Sequence, residues 1–328
     1  MVPVFTLTKL KTLIRLTVIC LIGLTLPVAA SDKDKKYKTS KDDRDLTLHK
    51  VTQDVYAIVG PLGNRSPKNL GNNATFGFVV TGDGIVVVDP GGTYLGAQKI
   101  HNLIKTVSPL SVKYVINTGG QDHRWLGNDY FKKLGAKVIA SKNAVADQKS
   151  RLKDIWFRLS NTAGDEAVKG TEESYADITF EKEYSFTLGG TDFEIYHAGG
   201  AHSPGDAFVR LPKQDVIFSD DVIYLERLLS VMSFSNSKSW VSVYNKLQSF
   251  NPKYIVPGHG KPSNLKQAKQ ETYGYLTMLR TKVTEFMENG GVIQDVSKID
   301  QSEYFYLENF DLLKGRNVQQ VYQEIEWE

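Results

Sequence analysis

Beyond position 50 the chain alternates short apolar blocks with clusters of Gly, Pro, Asn and Asp. Val55-Tyr-Ala-Ile-Val59, Thr75-Phe-Gly-Phe-Val-Val-Thr81 and Ile85-Val-Val-Val88 have the length and β-branched content of strands. Gly82-Asp-Gly84 between the last two predicts a hairpin turn. Gly60 to Asn73, rich in Gly, Asn and Pro, reads as a loop. After Asp89-Pro-Gly-Gly92 the period lengthens, and Ile100, Leu103, Ile104 and Val107 fall on one helical face. His101 lies beside that stripe and reads as a solvated helix residue. Strands are predicted at 113–116 and 137–140, and 142–175 is mixed and polar, a helix plus a covering segment. The second half repeats the alternation, with strands at 184–188, 191–196, 207–211 and 215–218, a helix near 238–249 and a strand at 253–256. A long helix follows, carrying Leu276, Leu279, Val283, Phe286 and Met287 and stopped by Gly290-Gly291. Strand pairs followed by helices, twice over, predict an α/β protein of two halves whose sheets pack face to face.

The first 48 residues break this pattern. Lys9, Lys11 and Arg15 precede an apolar run from Leu16 to Leu26 and then Pro27-Val-Ala-Ala30, the layout of a secretory signal peptide over 1–30. The run is short for a membrane span, so cleavage after Ala30 is the reading and an uncleaved anchor the alternative. The only cysteine, Cys20, lies inside that segment, with the large Ile19 before it arguing against a lipoprotein cut. The mature chain therefore has no disulfide and no thiolate chemistry. Residues 31–48 form a charged stretch that reads as a mobile lead-in, and 49–328 as the folded domain.

The signal also changes the charge picture. Its three basic residues account for the whole excess of 40 basic over 37 acidic side chains. A neutral mature chain argues against nucleic acid or an anionic membrane as the main partner, and no stable membrane insertion is expected after cleavage. A small molecule, met in a bacterial periplasm, is the expected partner. The oligomeric state is not readable.

Candidate chemistry gathers in four loops that follow predicted strands. They are Asn117-Thr-Gly-Gly-Gln-Asp-His-Arg-Trp-Leu-Gly-Asn128, Ala201-His-Ser-Pro-Gly-Asp206, Phe218-Ser-Asp-Asp221 and Val256-Pro-Gly-His-Gly260. Loops on a rigid scaffold are where ligands and catalytic groups concentrate. The imidazoles of His123, His202 and His259 with the carboxylates of Asp122 and Asp221 form an N/O set suited to zinc, with iron or manganese as alternatives. Asp220 is placed to take the role of Asp221. Asp122 either reaches a metal or pairs with Arg124 and holds the loop. His197 reads as inward or hydrogen-bonded at a strand end, and His49 falls in the lead-in. No Gly-x-Ser-x-Gly elbow and no phosphate loop of the Walker type is present.

These loops resemble the motifs of the metallo-β-lactamase fold superfamily, over Val51 to the C-terminus. Gly-Asp-Gly-Ile-Val-Val-Val-Asp89 resembles that family's strand ending in a structural Asp, His202-Ser-Pro-Gly-Asp206 its third metal motif, Phe218-Ser-Asp-Asp221 its bridging carboxylate and Pro257-Gly-His-Gly260 its final His motif. The resemblance implies a four-layer αββα sandwich of two mixed sheets flanked by helices. The first motif departs from the family's Asn-Thr-His-x-His-x-Asp-His-x-x-Gly-Asn. Laid without gaps, its four ligand positions become Gly119, Gln121, His123 and Arg124, and a one-residue shift instead makes Asp122-His123 the Asp-His pair. In both alignments the first His-x-His is absent.

What the resemblance then implies is one metal, Zn²⁺, on His123, Asp221 and His259, with Asp122 or His202 as a fourth ligand and Gln121 as a weak oxygen ligand or substrate contact. Such an ion lowers the pKa of a bound water toward about 7 and yields hydroxide to attack an acyl carbonyl or a phosphorus or sulfur centre, with an ester, thioester or lactam as the expected substrate. Asp122 or Asp221 would orient that water and accept its proton, and Arg124 would stabilise the oxyanion. The competing readings are a metal-free periplasmic binding protein on the same fold and, third, an oxidative enzyme with mononuclear iron. Loops 60–73 and 142–175 and the segment from Tyr224 to Trp240 would set the substrate.

Overall fold

The computed structural model describes Met1 and residues 45–328, so the predicted signal segment 1–30 and most of the lead-in lie outside the described residues. Two sheets carry the fold. The first has seven strands in chain order: β1 Thr47–Thr52, β2 Val55–Val59, β3 Thr75–Thr81, β4 Gly84–Val88, β5 Val112–Asn117, β6 Lys137–Ser141 and β7 Ile178–Phe180. β1 to β4 are antiparallel neighbours and β4 to β7 run parallel, each parallel crossover carrying a helix. The second sheet is built from β8 Glu183–Leu188, β9 Thr191–Tyr196, β10 Phe208–Leu211, β11 Val216–Phe218 and β12 Tyr254–Val256, in the order β12-β11-β10-β9-β8. Only its β11/β12 pair is parallel.

The period of two along each strand decides the layers. Val55, Ala57 and Val59 of β2, Val86 and Val88 of β4, Phe193 and Ile195 of β9, and Val216 and Phe218 of β11 meet in one cluster between the sheets. The intervening Ile58, Phe76, Phe78, Ile85 and Val87 face the other way, onto Ala97, Ile100 and Ile104 of the helix Tyr94–Lys105. On the far side, Phe208, Ile217 and Ile255 pack against Trp240, Val243, Tyr244 and Leu247 of the helix Ser237–Gln248 and against the C-terminal helices Gly274–Glu288 and Phe310–Glu326. Helix, sheet, sheet and helix form the predicted four layers.

Two elements differ from the sequence reading. β1 occupies the end of the predicted lead-in, and His49 is one of its residues, with Nε2 3.0 Å from the Thr47 hydroxyl. An edge strand with no fully buried residue carries no apolar alternation to read. The stretch 142–175, expected as one helix plus cover, holds three short helices, Lys142–Ser150, Leu152–Ala163 and Asp165–Val168, and Ile155, Leu159 and Ala163 pack on Trp125. Among the described residues no helix is long and apolar enough to cross a membrane.

The sheets approach most closely where Gly77 of β3 faces the Phe218 ring, and a Cβ at Gly77 would overlap that ring. Gly77→Ala should therefore destabilise the protein by about 1–3 kcal/mol through overpacking. In urea unfolding, Phe218→Leu added to Gly77→Ala should recover part of that loss. Simple addition of the two single effects would mean that the ring does not fill this space.

Candidate functional site

All four ligand-type loops leave the same end of the sandwich. Backbone bonds across the sheets tie them there, from Thr75 N to Gly258 O at 2.8 Å and from Ala207 N to Thr118 O at 2.7 Å. The loop after β5 is closed by a reciprocal amide pair, Asn117 and Asn128, each side chain donating to the other at 2.8 Å. Thr118 donates its N–H and its hydroxyl to Asp89 Oδ1 at 2.9 and 2.8 Å. The two glycines that follow are close-approach positions. A Cβ at Gly119 would lie 2.9 Å from Asp220 Oδ2 and 3.1 Å from Asp206 Oδ1, and one at Gly120 would overlap the Asp147 carboxylate.

His123, Asp221 and His259 come together at the base of the cleft, each buried, with one ligand atom from each lying within 4.8 Å of the others. His123 Nε2 is 3.7 Å from Asp221 Oδ2, and His259 Nε2 is 3.3 Å from Asp221 Oδ1. Neither His123 Nε2 nor Asp221 Oδ2 has a hydrogen-bond partner. The rings meet edge to face with centroids 5.6 Å apart, and Tyr224 stacks on His259 at 4.8 Å.

Arg124 lies beneath this group and is 1% exposed. It donates to Asp89 Oδ2 at 2.9 Å, Asp221 Oδ1 at 2.7 Å, Thr75 O at 3.1 Å and Gly258 O at 3.0 Å. Its Nε makes an ion-pair contact with Asp220 Oδ1 at 2.8 Å, out of line for a hydrogen bond. Its four terminal donors are all taken, its Nε is held against Asp220, and Arg124 does not line the cleft, so the oxyanion role expected of it is corrected to a structural one. Burial opposes ionisation of Asp221, but Arg124 overrides it and holds the carboxyl well below its ordinary range. Burial pushes Asp220 well up, against Arg124 and with the help of the neighbouring Asp221. Burial also raises Asp206 to about 8, assisted by the charge of Asp221.

The other expected ligands are engaged elsewhere. Asp122 pairs with Arg65, not Arg124, through two side-chain contacts. Burial works against its ionisation, yet Arg65 and His123 together hold the carboxyl far below its usual range. Asp122 lies 3.3 Å from His123 Nδ1, so it stands behind that ring rather than in the ligand group. His202 bonds to the Gln121 amide through Nε2, and its Nδ1 donates to Ser230 O at 2.7 Å. His202 thus stands outside the ligand group, while Gln121 lines the cleft and its Oε1, the oxygen expected to reach a metal or substrate, has no hydrogen-bond partner. Tyr224 and Trp240, with centroids 5.7 Å from His202, and Phe234 at 5.9 Å box its ring. His197 is hydrogen-bonded to Asp206 O at 2.8 Å and to the Asn143 amide at 2.9 Å.

The sequence reading did not find the arginines around the group. Arg65, Arg158, Arg227 and Arg316 line a cavity of about 310 Å³ that opens over His123, Asp221 and His259. Three of the four lie in segments expected to set the substrate, and an Arg in each was the available signal. Arg316, on the last helix, gave none.

The pH response of the site follows from His202, which is 2% exposed. Burial lowers its pKa from 6.5 to about 4. Its neutral form is the folded form, so its stabilising contribution is complete above the ordinary pKa of 6.5 and is lost as pH falls toward 4. The loss should reach about 3 kcal/mol, and His202→Asn should flatten urea-measured stability across that window. An equally steep fall in the variant would assign the effect to another group.

The comparisons with known proteins agree with this geometry. A family model for the metallo-β-lactamase superfamily matches residues 71–259. A type 2 metallo-β-lactamase of Elizabethkingia meningoseptica is 27% identical over 189 residues, 56% of this chain and 67% of its own. Among solved structures, a metallo-β-lactamase from Pontibacter korlensis aligns with TM-score 0.56 at 21% identity, covering 71% of this chain and 99% of its own. An inverting sec-alkylsulfatase from a Pseudomonas species aligns with TM-score 0.63 at 17% identity, covering 85% of this chain and 50% of its own. The family match spans more than half of the sequence and contains every residue of the His–Asp–His group, so the chain belongs to the metallo-β-lactamase superfamily.

Proposed function

We propose that this protein is an exported hydrolase of small ester-, thioester- or lactam-like molecules that uses one divalent ion, zinc first and iron or manganese next, held by His123, Asp221 and His259. The observation that carries this reading is the pair of buried atoms His123 Nε2 and Asp221 Oδ2, which face each other without a hydrogen-bond partner beside His259 Nε2. Buried polar atoms are rarely left so, and three N/O donors within 4.8 Å suit an ion with an open position. When bound, such an ion supplies Lewis acidity and a water acidic enough to attack at neutral pH.

The chain's own groups set the rest. Arg124 fixes Asp221 Oδ1 and leaves the buried Oδ2 without a hydrogen-bond partner. Because Arg124 holds that carboxylate strongly acidic, Asp221 is a poor proton store and is suited to orienting a water. Asp122, tied to Arg65, stands 3.3 Å from His123 Nδ1, and the Arg65 guanidinium itself meets that nitrogen at 2.8 Å. Reading residues 1–30 as an export signal puts this activity in a bacterial periplasm.

A metal-free binding protein is the second reading, and two contacts favour it. Behind His259 stands Arg227, 3.4 Å from Nδ1, and behind His123 stands Arg65, 2.8 Å from Nδ1, where a ligand histidine ordinarily has a hydrogen-bond acceptor. A cation there lowers the basicity of each ring and weakens its hold on an ion.

Plasma mass spectrometry of protein purified without chelator or affinity metal should find about one metal per chain. The metal should be lost in His259→Ala and Asp221→Asn and kept in His202→Ala. Absence of metal after dialysis against zinc would leave the binding reading in its place.

A further inference from the structure

The cavity over the His–Asp–His group carries more positive charge than its neighbours neutralise. Arg227 is 6% exposed and lines the cavity, its Nε has no hydrogen-bond partner, and its one polar side-chain contact is His259. Burial accordingly lowers its pKa from the ordinary arginine value. Arg158 and Arg316 sit exposed at the same cavity and also lack a carboxylate partner among the described residues. Arg158 donates only to the Asp154 carbonyl at 3.4 Å, and Arg316 to the Ser230 hydroxyl. Arg65, the fourth guanidinium, is neutralised by Asp122. Asp221 is the only acidic side chain lining the cavity among the described residues, and Arg124 already claims it.

An arginine buried without a counter-charge is costly, and a guanidinium is built to meet oxyanions with paired donors. We propose that this cavity binds a small molecule through a dianionic oxyanion, a phosphate group or a close pair of carboxylates, on Arg227 at the floor and Arg158 and Arg316 at the mouth. Three unpaired cations are matched better by two negative charges than by the single charge of a simple carboxylate. A phosphate monoester carries about −1.5 to −2 at pH 7. The volume of about 310 Å³ accommodates such a group together with a short organic portion. The proposal names the substrate class of the hydrolase reading and rests on that reading for the ligand's fate, though not for its binding.

The probes are inorganic phosphate, malonate and acetate, added to the as-purified protein at matched ionic strength and followed by calorimetry and thermal melting. Phosphate at a hundredfold its Kd should raise the melting midpoint by about 5 °C, and acetate should not. Malonate acting like phosphate would show that a charge pair suffices, and malonate without effect would narrow the class to phosphoryl groups. Both results support the proposal. Arg316→Gln and Arg158→Gln, at exposed positions that the fold tolerates, should each weaken phosphate about tenfold while metal content stays at its wild-type level. No phosphate binding, equal response to acetate, or unchanged affinity in both variants would overturn the proposal. Metal content separates the two claims. Phosphate bound by a metal-free chain leaves the anion site standing and removes the hydrolase, and metal without phosphate binding does the reverse.

Discussion

The end of the sandwich that carries the site depends on one buried guanidinium. Arg124 has a planar fork of five donors and no acceptor; the fold supplies hydrogen-bond acceptors for four and an ion-pair partner, Asp220, beside the fifth. Those partners come from the start of β3, the end of β4, the loop after β11 and the loop after β12. One side chain thus fastens elements of both sheets where no backbone ladder can reach. Without it, the Asp221 charge would stay buried among carboxylates with little to compensate it. The geometry of the metal-type group is therefore inherited from a residue that does not belong to it.

The same constraint explains the glycines and the acids nearby. With Arg124 reaching downward, the Asp220 and Asp206 carboxylates lie in front of Gly119, so a side chain at that position would press on both. Burial keeps both acids at high pKa, which lets several carboxyl groups share one cation. The Gln121 amide nitrogen meets His202 Nε2, the Ser230 carbonyl fixes the His202 tautomer, and Gln121 Oε1 is left buried without a hydrogen-bond partner. A second ion there would have to break that pair and would find only two donors.

Much of the architecture was legible because burial and periodicity coincide. β2, β4 and β11 are near-continuous apolar runs because both their faces are covered, one by the other sheet and one by helices, and both sheets fall where the apolar blocks are. β1 was illegible because an edge strand is half solvated and carries no alternation. At the site, loop chemistry marked His123, Asp221 and His259 as candidates, since Gly and Pro around an exposed ligand residue give it little packing value. Partner choice was another matter. Asp122 is adjacent to His123 and two positions from Arg124, yet its cation is Arg65, 57 positions away, and nothing local encodes that pairing. Long-range ion pairs are set by how loops meet in space, which periodicity does not report.

That limit bears on how the cleft carries its charge. In a two-metal centre, the positive potential that draws and polarises a substrate resides in the ions. Here the first metal position is closed by Asp220 and by the Gln121–His202 pair, and the cavity wall instead carries guanidiniums. An ion concentrates its charge on one atom of the substrate, whereas arginines spread theirs over a planar, directional array. Such a wall orients an oxyanion better than it activates a bond. On the proposed reading, activation falls to the single group at His123, Asp221 and His259, and recognition to the arginines above it. A division of this kind would account for why Arg227, close enough to disturb His259, is nonetheless placed there: it meets the ring on one side and lines the cavity on the other.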